Sequence, residues 1–175
     1  MTDKPFRIAT LVFLENEQGE QLLLHRRQSP NRDLWIPIGG KLHTEQGESP
    51  CECAIRETLE ETGIRLTADD LHLFGYLSEE SYEGQGHWLI FLFHSKKQLT
   101  RLPSPIKEGI FGFHPLEAID NLPIPGSDKA FLWPIYRSNR NGFTGVKIKY
   151  TDPTQPHLYE AKIETEIRVP ETPSV

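Results

Sequence analysis

The sequence is poor in cysteine and has no long apolar run. Its two cysteines, Cys51 and Cys53, stand one residue apart, which is too close for an ordinary disulfide. No second pair of Cys or His residues completes a zinc site with them. The longest apolar run, 89–93, is far too short to span a bilayer, and the charged start of the chain differs from a secretory signal. We therefore expect a soluble, cytoplasmic protein that has no membrane partner.

The chain also lacks an excess of basic residues. It has 19 Lys and Arg residues against 25 Asp and Glu residues, and its formal net charge is -6. This charge excludes a broad basic face for duplex DNA, so no nucleic acid polymer is expected as a partner. An acidic protein that binds phosphates needs metal cations or a few focused Arg and Lys side chains. The length predicts one domain over 1–169 and a short flexible tail over 170–175, and it leaves monomer and homodimer both open.

Alternating and periodic apolar patterns predict an α+β protein with a mixed β-sheet between helices. Gly19 marks a hairpin turn between the first two strands, and the alternating end of the chain predicts a C-terminal β-hairpin. Ser127 is a candidate N-cap for a helix over 129–138, which Pro134 would kink or end. The predicted strands are 7–14, 21–25, 71–77, 87–94, 110–114, 143–150 and 159–169, with a turn at 81–86 and a short helix at 115–120.

The clearest predicted element is a helix over 50–62. Ser49 is a good N-cap residue, Pro50 suits the first helical position, and Glu52 completes a capping box with Ser49. Gly63 follows the last turn, where a left-handed residue favours glycine. The helical period predicts that the buried face of this helix consists of Ala54, Ile55 and Leu59.

Three glutamates of this helix, Glu57, Glu60 and Glu61, have the i, i+3, i+4 spacing that gathers side chains on one side of a helix. Like charges at this spacing cost roughly 0.2–0.5 kcal/mol per pair. A divalent cation such as magnesium or manganese removes that cost, because both ions prefer oxygen ligands. Arg56 precedes the cluster and is a candidate for orienting a carboxylate or holding a phosphate. Taken alone, the acidic run is equally compatible with a solvated helix face.

Residues 39–64, GGKLHTEQGESPCECAIRETLEETGI, resemble the Nudix box. The box has glycine, five residues, glutamate, seven residues, Arg-Glu, an apolar residue, any residue, Glu-Glu, any residue, glycine and an apolar residue. This sequence has seven residues instead of five between Gly40 and Glu48, and it has Thr58 where the family usually has an apolar residue. The resemblance implies the Nudix fold and magnesium-dependent hydrolysis of a phosphoanhydride bond. The substrate would be a nucleoside triphosphate or another nucleoside diphosphate linked to a moiety X.

The resemblance also implies roles for individual residues. The catalytic set would consist of Glu57, Glu60, Glu61, Arg56 and Glu48, of which Glu48 would support the loop and Arg56. The cofactor would be Mg²⁺, with Mn²⁺ able to replace it, and its ligands would be Glu57, Glu60, Glu61 and a backbone carbonyl of Gly39 or Gly40. Glu108, which precedes an aromatic strand, is the candidate for a further metal ligand, and the alternative is an exposed loop glutamate. A competing hypothesis is a catalytically silent Nudix-fold module that binds or senses nucleotides, which the complete set of box carboxylates disfavours.

Residues 110–136 resemble the 8-oxo-dGTP hydrolases of the superfamily, in which a pair of aspartates reads the purine edge. Only Asp128 is present at this place, and Ile36 follows Trp35 where those enzymes have an asparagine. We therefore expect Asp128 to contact a base without specificity for 8-oxo-dGTP. Other candidate substrate contacts are Arg26, Arg27 and Lys41 for phosphates and Trp35 or Trp133 for stacking on a base. The alternatives are solvent-facing charges for the cations and core packing for at least one tryptophan.

Overall fold

The computed structural model of the chain describes residues 5–81, 86–152 and 159–170. In these ranges nine strands form a six-stranded and a three-stranded sheet, accompanied by two α-helices. No helix in the same ranges is long and apolar enough to cross a membrane. The elements are β1 (Phe6–Phe13), β2 (Gln21–Arg26), β3 (Trp35–Ile36), β4 (Ile38–Lys41), α1 (Pro50–Thr62), β5 (Leu71–Glu80), β6 (His87–Ser95), β7 (Gly109–His114), α2 (Trp133–Asn139), β8 (Phe143–Tyr150) and β9 (Tyr159–Ile167).

The six-stranded sheet has the order β4-β1-β6-β5-β8-β9, and the three-stranded sheet has the order β3-β2-β7. In the larger sheet β1 lies parallel to β6 and β5 lies parallel to β8, whereas the other neighbours are antiparallel. This arrangement confirms the predicted α+β class with a mixed sheet. The C-terminal hairpin is also confirmed, because β8 pairs with β9. Parts of the predicted 81–86 turn, of the loop in this hairpin and of the C-terminal tail lie outside the described residues.

Strand β1 separates two hydrophobic cores, because its side chains alternate between the two faces of the larger sheet. Val12 is fully buried on one face, in a core that includes Ala54 of α1. Phe13 lies on the other face, where its ring stacks on that of Tyr136 of α2 at 4.6 Å between centroids. Trp133 belongs to this second core and is 1% exposed, so it is a packing residue and not a platform for a base.

The predicted hairpin turn at Gly19 forms, but the two strands that flank it do not pair along their length. The turn at Gly19 closes locally, through an antiparallel bridge between Glu15 and Gln21 and a 2.8 Å hydrogen bond from the Leu22 N–H to the Leu14 carbonyl. Beyond that point β1 enters the six-stranded sheet and β2 enters the three-stranded sheet. Strand β1 has no open edge for β2, because β4 and β6 occupy its two sides.

The buried face of α1 is rotated from the predicted one. Cys53, Ala54 and Thr58 are buried, whereas Leu59 is 36% exposed and Ile55 is half-buried. Thr58 tolerates burial because its hydroxyl donates a 2.7 Å hydrogen bond to the Ala54 carbonyl one turn earlier. Thr58, whose hydroxyl is hydrogen-bonded, therefore faces the core where the apolar pattern predicted Leu59.

The segment before α2 also differs from the prediction. Ser127 has helical backbone angles and makes no N-cap hydrogen bond, so it lies inside a helical segment and does not begin one. Asp128–Leu132 has π-helical spacing, and Pro134 lies in the first turn of α2. A widened turn before a proline accommodates the missing N–H and the ring. The short helix predicted at 115–120 is a 3-10 helix, Leu116–Asn121.

Candidate active site

Local capping interactions hold α1 in its predicted range, Pro50–Thr62. The Ser49 hydroxyl accepts a hydrogen bond from the Glu52 N–H at 3.2 Å, and Glu52 Oε2 accepts one from the Ser49 N–H at 2.8 Å. Gly63 ends the helix with a φ of 74°, and its N–H donates to the Leu59 carbonyl at 2.9 Å. Both ends of α1 are thereby fixed, and with them the places of the glutamates along the helix.

The loop between β4 and α1 contains the two additional residues relative to the Nudix box. Thr44–Gln46 form a 3-10 turn that ends at Gly47, whose φ of 72° favours glycine. Glu48 closes this turn, because its Oε2 accepts a 2.8 Å hydrogen bond from the His43 N–H and its own N–H donates to the His43 carbonyl at 3.3 Å. The longer loop therefore folds back on itself and brings Glu48 to the start of α1.

Arg56 is the centre of an ion-pair network in this loop and helix. Its guanidinium binds Glu48 through two hydrogen bonds, from Nε to Oε1 at 2.7 Å and from Nη2 to Oε2 at 3.0 Å. It also contacts Glu57 at 2.6 Å, Glu60 at 3.2 Å and the Lys41 carbonyl at 3.0 Å. The hydrogen bond from Arg56 is the main reason that the pKa of Glu48 falls to about 2. The positive charge of Arg56 is thus neutralised by carboxylates of the loop–helix unit itself.

Two carboxylates of α1 lie against the glycine pair of β4. A Cβ atom on Gly40 would collide with the carboxylate of Glu57. Gly39 has a φ of 144°, and its N–H donates a 3.2 Å hydrogen bond to Glu61 Oε2. The structure therefore brings Glu57 and Glu61 to one place. The side chain of Glu60, by contrast, is 58% exposed and contacts Arg56.

Negative charge accumulates around Glu61. Burial is the main cause that raises the pKa of Glu61 to about 7. The Gly39 N–H and Arg26 lower this pKa, whereas the negative charges of Glu57 and Glu108 raise it. Glu108 reaches this place because β7, which begins directly after it, pairs with β2. Glu57, Glu61 and Glu108 thus bring three negative charges close together, with Arg56 and Arg26 as the neighbouring cations.

These carboxylates fit a hard divalent cation, because such ions prefer oxygen ligands. A bound cation would also offset the accumulated negative charge. The described ranges contain no group of three or more His, Cys, Asp or Glu side chains that is already arranged to hold a metal ion. Glu57 and Glu60 are both engaged by Arg56. Binding of a metal by all three glutamates of α1 therefore requires these side chains to turn away from the guanidinium.

A cavity of about 310 Å³ adjoins the glycine pair. Its wall is formed by residues of β1, β4, β5 and β6, by single residues of β2 and β3, and by the segments before β3 and α2. Arg26 and Lys41 line this cavity, so two of the predicted phosphate contacts lie on its wall. Arg27 and Trp35 are not among the lining residues, and these two predicted contacts are not brought to the cavity. Arg27 is exposed, whereas the Trp35 ring packs between the rings of His25 and His114, with centroids at 4.9 and 4.4 Å.

Two residues of the cavity wall were missed by the sequence-based prediction. Trp88 of β6 and Glu79 of β5 are direct partners across the two strands, so their side chains share one face of the sheet. The Trp88 ring has Lys41 and Arg7 each at 5.5 Å from its centroid. Glu79 follows the buried Leu77 by two residues on β5, so both side chains lie on the same face of the strand. This alternation is the sequence signal that indicates an inward-facing carboxyl.

Glu79 and Asp128 form a buried carboxyl pair on the cavity wall, where they are 4% and 9% exposed. The Tyr150 hydroxyl donates a 3.0 Å hydrogen bond to Glu79 Oε1, and the Ser127 hydroxyl interacts with both carboxyls. Burial raises the pKa of Glu79 to about 6 and that of Asp128 to about 8, and the charge of Glu79 adds to the second shift. Asp128 therefore has a carboxyl partner, which β5 contributes.

The residues of the loop–helix unit and of the cavity wall all lie in a part of the chain that matches a known domain family. The NUDIX domain profile matches residues 5–133, and the chain therefore belongs to the Nudix family. The RNA pyrophosphohydrolase of Rhizobium meliloti is 34% identical over 123 residues, which cover 59% of this chain and 72% of that protein. The Bacillus subtilis Nudix hydrolase YvcI is 32% identical over 106 residues, which cover 60% of this chain and 66% of YvcI, slightly less than two thirds. The MutT protein of Bacillus halodurans has the same fold, with a TM-score of 0.72 at 23% identity over 90% of this chain and 97% of that chain.

Proposed function

We propose that the chain is a magnesium-dependent pyrophosphohydrolase. Its substrate would be a nucleoside triphosphate or another nucleoside diphosphate linked to a moiety X. One observation carries the proposal: the glycine pair Gly39-Gly40 lines the cavity and also contacts the carboxylates of Glu57 and Glu61. A nucleotide with its base in the cavity therefore extends its phosphates past the glycine pair to the carboxylates.

The carboxylates of Glu57, Glu60, Glu61 and Glu108, with a backbone carbonyl of Gly39 or Gly40, would hold the metal ion. Bound Mg²⁺ supplies neutralisation of phosphate charge and a more acidic water. A glutamate of the cluster that does not bind the metal ion accepts the proton of the attacking water. General base assistance of this kind contributes about 100- to 10,000-fold in rate.

The basic residues divide into two groups in this proposal. Arg56 and Glu48 are positioning residues, because their ion pair ties the loop to α1 and sets the place of Glu57. Arg26 and Lys41 lie on the cavity wall, where they offset the charge of the substrate phosphates. No observation on the described residues favours the catalytically silent alternative, since every box carboxylate is present in the loop–helix unit.

The test is turnover of a panel of nucleoside triphosphates, dinucleoside polyphosphates and nucleotide sugars in the presence of magnesium. We expect Glu61→Gln to lower kcat at least about 100-fold with the fold intact, because the change removes a metal ligand or a base. Glu45→Gln is the matched control, since Glu45 is exposed in the 3-10 turn of the loop.

Two outcomes would decide against the proposal. Nucleotide binding without turnover in the wild-type protein would favour the silent module. Near-normal turnover of Glu61→Gln would contradict the role assigned to Glu61, provided that Glu45→Gln is also unchanged.

A further inference from the structure

We propose that the moiety X of the substrate is a sugar, and that it occupies a second cavity, which borders Glu61 and offers Arg101 and Ser104 as hydrogen-bond donors. This inference rests on the proposed function and deepens it, because it selects nucleoside diphosphate sugars among the substrates of that function. Water attacks one phosphorus of such a substrate, and the bond from that phosphorus to the bridging oxygen breaks. The water loses its proton to the glutamate base, and the products are a nucleoside monophosphate and a sugar phosphate.

The second cavity has a volume of about 380 Å³ and lies between the last turn of α1 and the loop before β7. One wall consists of Glu61, Thr62 and Gly63, and the other consists of residues 101–106. Glu61 lies between the two cavities, because its carboxylate also accepts the 3.2 Å hydrogen bond from Gly39 on the wall of the first cavity. A substrate with its base in the first cavity and its diphosphate at the carboxylates therefore directs moiety X into the second.

The loop that forms the second wall also carries the candidate metal ligand Glu108. The Ile106 N–H donates to the Gly109 carbonyl at 3.0 Å, and the Gly109 N–H donates back to the Ile106 carbonyl at 3.2 Å. These two hydrogen bonds close a four-residue turn that contains Glu108, and Pro103 and Pro105 restrict the backbone before it. One local structure therefore fixes both the cavity wall and Glu108.

The lining of the second cavity suits hydroxyl groups better than phosphate. The last turn of α1 leaves backbone carbonyls without helical partners, and they give this end of the helix a partial negative charge. On the opposite wall, the side chains of Arg101 and Ser104 have no hydrogen-bond or ion-pair partner within the described ranges. A sugar satisfies both walls, because its hydroxyls donate to carbonyls and accept from a guanidinium or a serine hydroxyl. An ionised phosphate only accepts hydrogen bonds, and the end of α1 repels it.

The other substrates of the proposed function make less use of this cavity. The terminal phosphates of a nucleoside triphosphate stay with the metal ion at the carboxylates and do not enter it. A dinucleoside polyphosphate would bring a second base, which binds best on an aromatic side chain. None of the described residues that line the second cavity is aromatic. The lining therefore favours a sugar over a second nucleoside.

Steady-state hydrolysis tests the inference when each nucleotide sugar is compared with the triphosphate of the same base. The pairs are ADP-ribose and ATP, UDP-glucose and UTP, and GDP-mannose and GTP, so that recognition of the base cancels in each comparison. In the pair that is hydrolysed fastest, we expect kcat/KM to be at least roughly tenfold higher for the nucleotide sugar, because the sugar adds hydrogen bonds in the second cavity. Diadenosine triphosphate, which carries a second nucleoside in place of the sugar, should be hydrolysed no faster than ATP.

Two variants isolate the second cavity. Arg101→Gln removes a charged donor, and we expect it to raise the KM of the nucleotide sugar roughly tenfold more than that of the triphosphate. Ser104→Trp fills the cavity from an exposed loop position, and it should lower kcat/KM for the nucleotide sugar at least roughly tenfold relative to the triphosphate. Lys107→Gln is the matched control, because it removes an exposed cation of the same loop that does not line the cavity. Circular dichroism verifies that each variant is folded.

Three results would overturn the inference. These are a triphosphate that is hydrolysed faster than the nucleotide sugar in every pair, a selectivity that is unchanged in both cavity variants, and an equal change of selectivity in Lys107→Gln. Each of them is compatible with the loss of turnover expected for Glu61→Gln, which is measured with whichever substrate is hydrolysed. Failure of sugar recognition is therefore distinguishable from failure of the proposed function, which requires turnover of at least one substrate of the panel.

Discussion

Replacing Glu48 with glutamine is expected to destabilise the folded protein by about 2–3 kcal/mol. The Glu48 carboxylate accepts hydrogen bonds from Arg56 at 2.7 and 3.0 Å and one from the His43 N–H at 2.8 Å. Hydrogen bonds to charged groups contribute about 1.5–3 kcal/mol each. Glutamine keeps one oxygen acceptor but turns an amide donor towards the guanidinium, so about one charge-assisted bond is lost. The Arg56 side chain is only 21% exposed, so solvent screens little of this loss.

The effect of this substitution depends on pH in a defined direction. The pKa of Glu48 in the folded protein is about 2, below its ordinary value of 4.5. A lowered pKa means that the carboxylate contributes stability above about pH 4.5 and loses this contribution as the pH falls through about 2. The difference in unfolding free energy between wild type and Glu48→Gln should therefore be full at neutral pH and narrow in acid.

Urea denaturation followed by circular dichroism measures this difference across the pH range. Glu45→Gln in the same loop is the control, with an expected change below about 0.5 kcal/mol. A double-mutant cycle with Arg56→Met should give a coupling of about 2 kcal/mol. The reasoning would be refuted if Glu48→Gln lowered the unfolding free energy by less than about 0.5 kcal/mol at neutral pH. It would also be refuted if the difference from wild type did not decrease in acid.

Three further substitutions test other parts of the structure. Gly40→Ala should lower kcat at least about tenfold, because the added Cβ displaces the Glu57 carboxylate. Steady-state kinetics measures this, and Gly126→Ala is the control because a Cβ at Gly126 meets open space. Trp88→Leu should raise KM roughly tenfold with little change in kcat, since base stacking contributes about 1–3 kcal/mol, and an unchanged KM would exclude Trp88 from the binding surface. Thr58→Val should change the unfolding free energy by less than about 1 kcal/mol, because the Ala54 carbonyl keeps its helical hydrogen bond; a urea titration that showed a loss above about 2 kcal/mol would contradict this.

The parts of the site that depend on local sequence could be predicted. Helix α1 begins and ends where Ser49, Glu52 and Gly63 indicate, because capping interactions span only a few residues. The spacing of Glu57 and Glu61 along one helix likewise determines that they approach the same strand. Such features follow from backbone geometry within a single element.

The parts that depend on strand register could not be predicted in the same way. Glu79 and Asp128 become neighbours only because β5 and the segment before α2 border one cavity, which the strand order decides. Trp88 lies on the cavity wall because β6 borders the cavity. Trp35 does not, because it alternates with Ile36 on β3: Ile36 lines the cavity, and the Trp35 ring packs between His25 and His114. Pairing between distant strands is set by tertiary packing and not by local propensity.

The central claim is that the carboxylates of α1 bind a divalent cation beside the substrate phosphates. Calorimetric titration of Mn²⁺ into the protein, in the presence of a non-hydrolysable nucleotide, tests this most directly. We expect saturable binding in the wild-type protein and at least roughly tenfold weaker binding in Glu61→Gln, since carboxylate oxygens are the ligands that such ions prefer. Equal Mn²⁺ affinity in the two proteins would contradict the claim.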